Sequence, residues 1–135
     1  MILKIEHIGI AVAAAKPAAV IFEKLLGTNL NKTEEVVSEK VRTWFFSVGE
    51  SQLELLESTD PEGVIARYIQ KRGEGMHHIA FLTDNLEAEI SRLKSEGFDF
   101  ISEVPKDGAD NKRIVFLHPK STAGVLVELC EEKAP

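Results

Sequence analysis

The chain has 135 residues, 44% of them hydrophobic and 28% charged, with a formal net charge of −6. This predicts one soluble globular domain and argues against nucleic acid or an anionic membrane as a main partner. No apolar run approaches the roughly 20 residues that span a bilayer. The single cysteine, Cys130, excludes an internal disulfide or a cysteine-rich zinc site and reads as a small core residue. Lys4, Glu6 and His7 interrupt the start of the chain, so no signal peptide is read there and a cytoplasmic location is expected.

The elements follow in chain order. Leu3 to Val12 is β-branched and apolar, a strand. Pro17 opens a helix that runs to about Leu26 and ends at Gly27. A short strand is expected at Gly27-Thr28-Asn29-Leu30 and an apolar one from Thr43 to Val48, including Trp44, Phe45 and Phe46 as core or dimer surface. Gly49-Glu50-Ser51 makes a hairpin turn into the strand of Leu53-Glu54-Leu55. From Pro61 to Arg72, Val64, Ile65, Tyr68 and Ile69 recur at helical spacing, so this segment reads as a connecting helix ending at Gly73. A strand opens on His77-His78-Ile79-Ala80-Phe81, and Asn85 caps a helix with Leu86, Ile90 and Leu93 on one face, ended by Gly97. A short strand at Gly97-Phe98-Asp99-Phe100, a polar loop from Lys106 to Lys112, an apolar strand from Arg113 to His118 and a last strand around Val127-Glu128-Leu129 complete the series.

The chain repeats itself. Glu6-His7-Ile8-Gly9-Ile10 matches His77-His78-Ile79-Ala80-Phe81, and Leu53-Glu54-Leu55 matches Val127-Glu128-Leu129. The separation from His7 to Glu54 is 47 residues, and that from His78 to Glu128 is 50. Each half is therefore β-α-β-β-β, and the fold class is α+β with two paired modules. Module one covers about 1–58, the connecting helix about 61–72 and module two about 74–132. Neither half, of about 60 residues, buries enough alone, so one domain is expected over 1–135.

Four residues occupy matching places: His7, His78, Glu54 and Glu128. A pseudo-twofold would bring the two pairs to one centre. Two imidazoles and two carboxylates form a mixed nitrogen and oxygen set suited to Zn, Co, Ni, Mn or Fe. A lone strand histidine is usually structural, and a strand glutamate is usually solvated; the match between repeats is what favours ligands. Side chains alternate along a strand, so only one of His77 and His78 faces the centre. His78 aligns with His7 and shares a face with Ala80, as His7 does with Gly9, and small neighbours leave room around a metal.

These residues resemble the vicinal oxygen chelate superfamily, the glyoxalase and bleomycin-resistance fold, over nearly the whole chain. Within it the likeness is to methylmalonyl-CoA epimerases. It is carried by Glu6-His7-Ile8-Gly9-Ile10-Ala11-Val12, Leu53-Glu54-Leu55-Leu56-Glu57, Gly73-Glu74-Gly75-Met76-His77-His78-Ile79-Ala80-Phe81, Phe116-Leu117-His118-Pro119-Lys120 and Gly124-Val125-Leu126-Val127-Glu128-Leu129. The resemblance implies one open, curved mixed sheet around a metal cleft. It implies one divalent ion (Co²⁺, Zn²⁺, Ni²⁺ or Mn²⁺) on His7, Glu54, His78 and Glu128, an acyl-CoA substrate and a homodimer. Some epimerases carry glutamine at the position of Glu54 and a glutamate at that of Thr43. Here Glu54 would be both ligand and base, as in glyoxalase I, and the Ala13-Ala14-Ala15-Lys16 segment lacks the usual acidic turn.

The implied chemistry removes a proton beside a thioester carbonyl and returns one to the opposite face, with Glu54 and Glu128 as acid and base in turn. Between Pro105 and Thr122, Lys106, Lys112, Arg113 and Lys120 outnumber Asp107 and Asp110. Lys120 and Arg113 are therefore candidates for substrate anions, with His118 beside them. A glyoxalase I (lactoylglutathione lyase) type isomerase uses the same ligand set and is the nearest alternative. A ring-cleaving dioxygenase needs only two histidines and one carboxylate. A metal-free antibiotic-binding protein of the same fold would not need the four ligands.

Overall fold

The computed structural model describes residues 1–134. Apolar patterning and turn chemistry produce eight strands and three α-helices among them: β1 (Ile2–Ala11), α1 (Ala15–Leu26), β2 (Lys32–Val36), β3 (Val41–Val48), β4 (Ser51–Ser58), α2 (Val64–Arg72), β5 (Gly75–Thr83), α3 (Leu86–Ser95), β6 (Lys106–Asp107), β7 (Lys112–Phe116) and β8 (Val127–Glu132). The order β-α-β-β-β occurs twice, with α2 between, and the α+β class holds. The chain forms two compact units. One contains Met1–His7 and the chain from His78 onward; the other is Ile8–His77. The first half of β1 thus belongs with the second half of the sequence.

In the Ile8–His77 unit, β2, β3 and β4 pair antiparallel, with Phe45 opposite Glu54 and Thr43 opposite Leu56. Helix α1 begins at Ala15, two residues before the expected Pro17. Carboxylates account for the earlier start: the Ala13 and Ala15 N–H groups donate to Glu74 (2.7 Å) and Glu57 (3.0 Å), satisfying donors a helix start leaves open. Gly27 closes α1 at φ 68°, a left-handed conformation that disfavours other residues. Ala15 and Ala19 pack against Val12, Phe46 and Leu55. On the other side of β4, Leu56 packs with Ala11, Val41 and Ile65 of α2.

In the other unit, β5 and β8 run parallel and β7 pairs antiparallel with β8 and β6. Asn85 Oδ1 accepts from the Ala88 N–H at 3.0 Å, capping α3. Leu86, Ile90 and Leu93 pack on Val115, Leu117 and Leu129. The opposite face of the same strands carries a smaller apolar group, Ala80, Ile114 and Cys130, with Phe116 and Leu82 at its edge.

Two expected short strands lie elsewhere. Residues 27–30 are not a strand; the strand is β2, five residues further on. Residues 98–100 make only a bridge, Phe100 to Leu117, and the short strand of the second half is β6, inside the expected polar loop. Phe98 and Phe100 instead pack against the α3 core.

Candidate metal centre

Three ligand-type side chains meet in the unit that begins with β1. Register explains two of them: Ala80 of β5 lies opposite Glu128 of β8, and His78, two residues before Ala80, shares its face of the strand. The first half of β1 supplies His7. His7 Nε2 lies 2.9 Å from His78 Nε2. Glu128 Oε1 is 3.4 Å from His78 Nε2, and Oε2 is 3.8 Å from His7 Nε2. The imidazoles stand edge-on, with interplanar angle 86°. All three residues are buried, at 6%, 8% and 5% exposure for His7, His78 and Glu128.

The donor set fits a divalent cation. Two imidazole nitrogens at 2.9 Å match two bonds of about 2.1 Å meeting near a right angle, which span about 3.0 Å. The nitrogen-to-oxygen distances suit a wider angle. Buried carboxylates and imidazoles converging in this way otherwise carry a desolvation cost that an ion offsets. Glu128 shows that cost. Burial raises its pKa to about 7; His7, Lys106 and Lys112 oppose the rise, and Glu6 reinforces it.

Glu54 lies on β4 in the other unit, buried at 4% exposure and opposite Phe45 in the hairpin register. Thr43, opposite Leu56, is also buried and brings no carboxylate to β3. His77 points away from His78, edge-on to the Tyr68 ring with centroids 4.9 Å apart. Burial lowers its pKa to about 4.

The cations expected to meet substrate have other partners. Arg113 is held between Glu131, at 2.7 Å, and Glu87. Lys120 is exposed and pairs with Asp99 at 3.3 Å. His118 Nδ1 accepts the Lys120 N–H at 3.1 Å and so shapes the turn at Pro119–Ser121.

Three residues near the centre escape sequence reasoning. Glu6 is buried, and its Oε1 lies 2.6 Å from His7 Nδ1. Burial pushes Glu6 up, but the hydrogen bond from His7 and the charge of Lys112 hold it below the usual carboxylate range. Alternation assigns Glu6 to the face opposite His7, so no pattern signals it. Lys112 is 6% exposed although its neighbours read as a polar loop. Lys106 Nζ sits 5.8 Å from the Phe116 ring centre, and that ring stands 5.9 Å from His78.

Residues 6–116 match the Glyoxalase/Bleomycin resistance protein/Dioxygenase superfamily, and the chain belongs to it. Named relatives narrow the likeness. Human mitochondrial methylmalonyl-CoA epimerase is 35% identical over 127 residues, 93% of this chain and 72% of that protein. The ethylmalonyl-CoA/methylmalonyl-CoA epimerase of Cereibacter sphaeroides is 33% identical over 131 residues, covering 96% of this chain and 98% of that one. A variant of Streptomyces coelicolor methylmalonyl-CoA epimerase, solved in complex with 2-nitronate-propionyl-CoA, superposes with TM-score 0.93 and 32% identity over 99% of this chain and 97% of that one.

Proposed function

We propose that this chain is a metal-dependent methylmalonyl-CoA epimerase acting by two-base 1,1-proton transfer. The meeting of His7, His78 and Glu128 carries the proposal, supported by epimerase relatives that align over nearly the whole chain. Glu54 joins as fourth ligand and second base on the strength of the sequence repeat and the resemblance. A divalent ion on these residues (Co²⁺, Zn²⁺, Ni²⁺ or Mn²⁺) would supply positive charge to the enolate oxygen formed beside the thioester.

The protein's own groups do the rest. Epimerisation takes a proton from one face of the α-carbon and returns one to the other, so it needs two acid–base groups. Glu128 is proposed as the acid–base group on one face of the α-carbon. Ala80, Cys130, Ile114 and Phe116 form the apolar surroundings that keep water from it. Glu54 is proposed for the opposite face. Lys120 is proposed to meet a substrate anion from its exposed position, with His118 holding its backbone. A single working domain, a homodimer and a cytoplasmic location complete the proposal. No helix among the described residues is long and apolar enough to cross a membrane.

The test is to give Co²⁺-loaded protein one resolved epimer of methylmalonyl-CoA and follow the other by chiral chromatography. Interconversion is expected, falling by about 100-fold or more in Glu128→Gln and in Glu54→Gln. A loaded wild-type protein that leaves the configuration untouched would contradict the reading. Full activity in Glu54→Gln would remove the second base while leaving the metal.

A further inference from the structure

His7 is held from behind. Its Nδ1 lies 2.6 Å from Glu6 Oε1, and both residues are buried, at 6% and 5% exposure. A carboxylate accepts and does not donate, so the Nδ1–H tautomer is the one this contact selects. That tautomer leaves Nε2 as a lone pair aimed at His78 and Glu128. In the metal-free state it accepts from His78 Nε2–H across the 2.9 Å contact.

A buried carboxylate needs a counter-charge. Lys112, itself buried, attracts Glu6. The lysine is fixed in turn: Nζ donates to the Asp110 carbonyl at 3.0 Å and lies 3.4 Å from the Asp110 carboxylate and 3.6 Å from Glu132. Asp110 and Asn111 are both at φ 58°, the left-handed region that Asp and Asn tolerate better than most residues. This turn is what brings the Asp110 carbonyl back onto the lysine. The chain therefore places a buried carboxylate, Glu6, directly behind one ligand, with the fixed positive charge of Lys112 acting on it.

We propose that Glu6 is a positioning residue for the metal ligand His7, fixing its tautomer and ring orientation, with the buried Lys112 supplying Glu6 with counter-charge. The inference rests on the proposed metal reading for its consequence, but the tautomer can be read without metal. Outer partners of this kind are general to histidine ligands and are worth about 10- to 100-fold in metal affinity.

The experiment is long-range ¹⁵N–¹H correlation NMR of metal-free protein at pH 8, followed by Co²⁺ titration against a competing chelator. Wild-type His7 is expected as the Nδ1–H tautomer. In Glu6→Leu the Nε2–H tautomer should appear, and Co²⁺ affinity should fall about 10- to 100-fold. Glu6→Gln, which keeps an acceptor oxygen, should retain the tautomer and much of the affinity. Lys112→Met should weaken Co²⁺ binding in wild type but add little on the Glu6→Leu background. If Glu6→Leu is poorly folded, Lys112→Met and the wild-type spectrum still decide the matter. A wild-type His7 in the Nε2–H or doubly protonated form overturns the proposal. So does a Glu6→Leu protein with wild-type tautomer and affinity. A wild type with the Nδ1–H tautomer that binds no Co²⁺ defeats the metal reading instead.

Discussion

Glu128 sits on β8 opposite Ala80 and Phe116, and burial there keeps it protonated to about pH 7. The folded value lies above that of the free side chain, 4.5. Between these values the native state holds a proton that the unfolded chain has released, so stability falls as pH rises. The contribution is fully present below about pH 4.5 and lost through about pH 7. Because burial of His77, whose pKa falls to about 4, adds stability as pH rises, the test is the difference between proteins: from pH 5 to pH 7.5 the Tm of metal-free wild type should change less favourably than that of Glu128→Gln. Metal affinity should rise over the same interval, because proton and ion compete for the carboxylate. The same change in Tm in wild type and Glu128→Gln would contradict the burial account. His7, His78 and Glu128 were legible in sequence because the repeat set them in matching places. Glu6 was not: its counterpart in the repeat is a histidine, and alternation directs it to the other face. Lys112 was counted as a loop cation because a charge count carries no information on burial.

Helices declare themselves through period and caps, and here Asn85, Gly27 and Gly73 mark their ends. Helix α3 buries Leu86, Ile90 and Leu93 on one unit's core while Asn85 satisfies one N–H. Burial outweighs capping in magnitude: Leu93→Ala should cost about 2–5 kcal/mol and Asn85→Ala about 1 kcal/mol. Urea denaturation of the two variants checks the order, and a larger loss from Asn85→Ala would contradict it. Short strands were harder to read. β2 reads Lys-Thr-Glu-Glu-Val, is mostly exposed and pairs only with β3, so the sequence offers it no apolar alternation. β6 is two exposed residues, Lys106 and Asp107, and is defined by pairing with β7 alone. The apolar residues at 98–100 suggested a strand because they are apolar, but they serve as cover for the α3 core.

At the scale of the whole chain, the doubled β-α-β-β-β order was legible because self-similarity needs no knowledge of contacts. The compact units were not, because Met1–His7 joins the chain from His78 onward. That exchange is what puts His7 beside His78 and Glu128. We propose that the meeting of His7, His78 and Glu128 makes a metal-dependent enolising site. The decisive measurement is proton NMR of racemic methylmalonyl-CoA in deuterium oxide, with protein stripped of metal and then given Co²⁺. The α-proton signal should persist with stripped protein and disappear once Co²⁺ is added. An α-proton signal that persists with Co²⁺ bound at one ion per chain would contradict enolisation of this substrate.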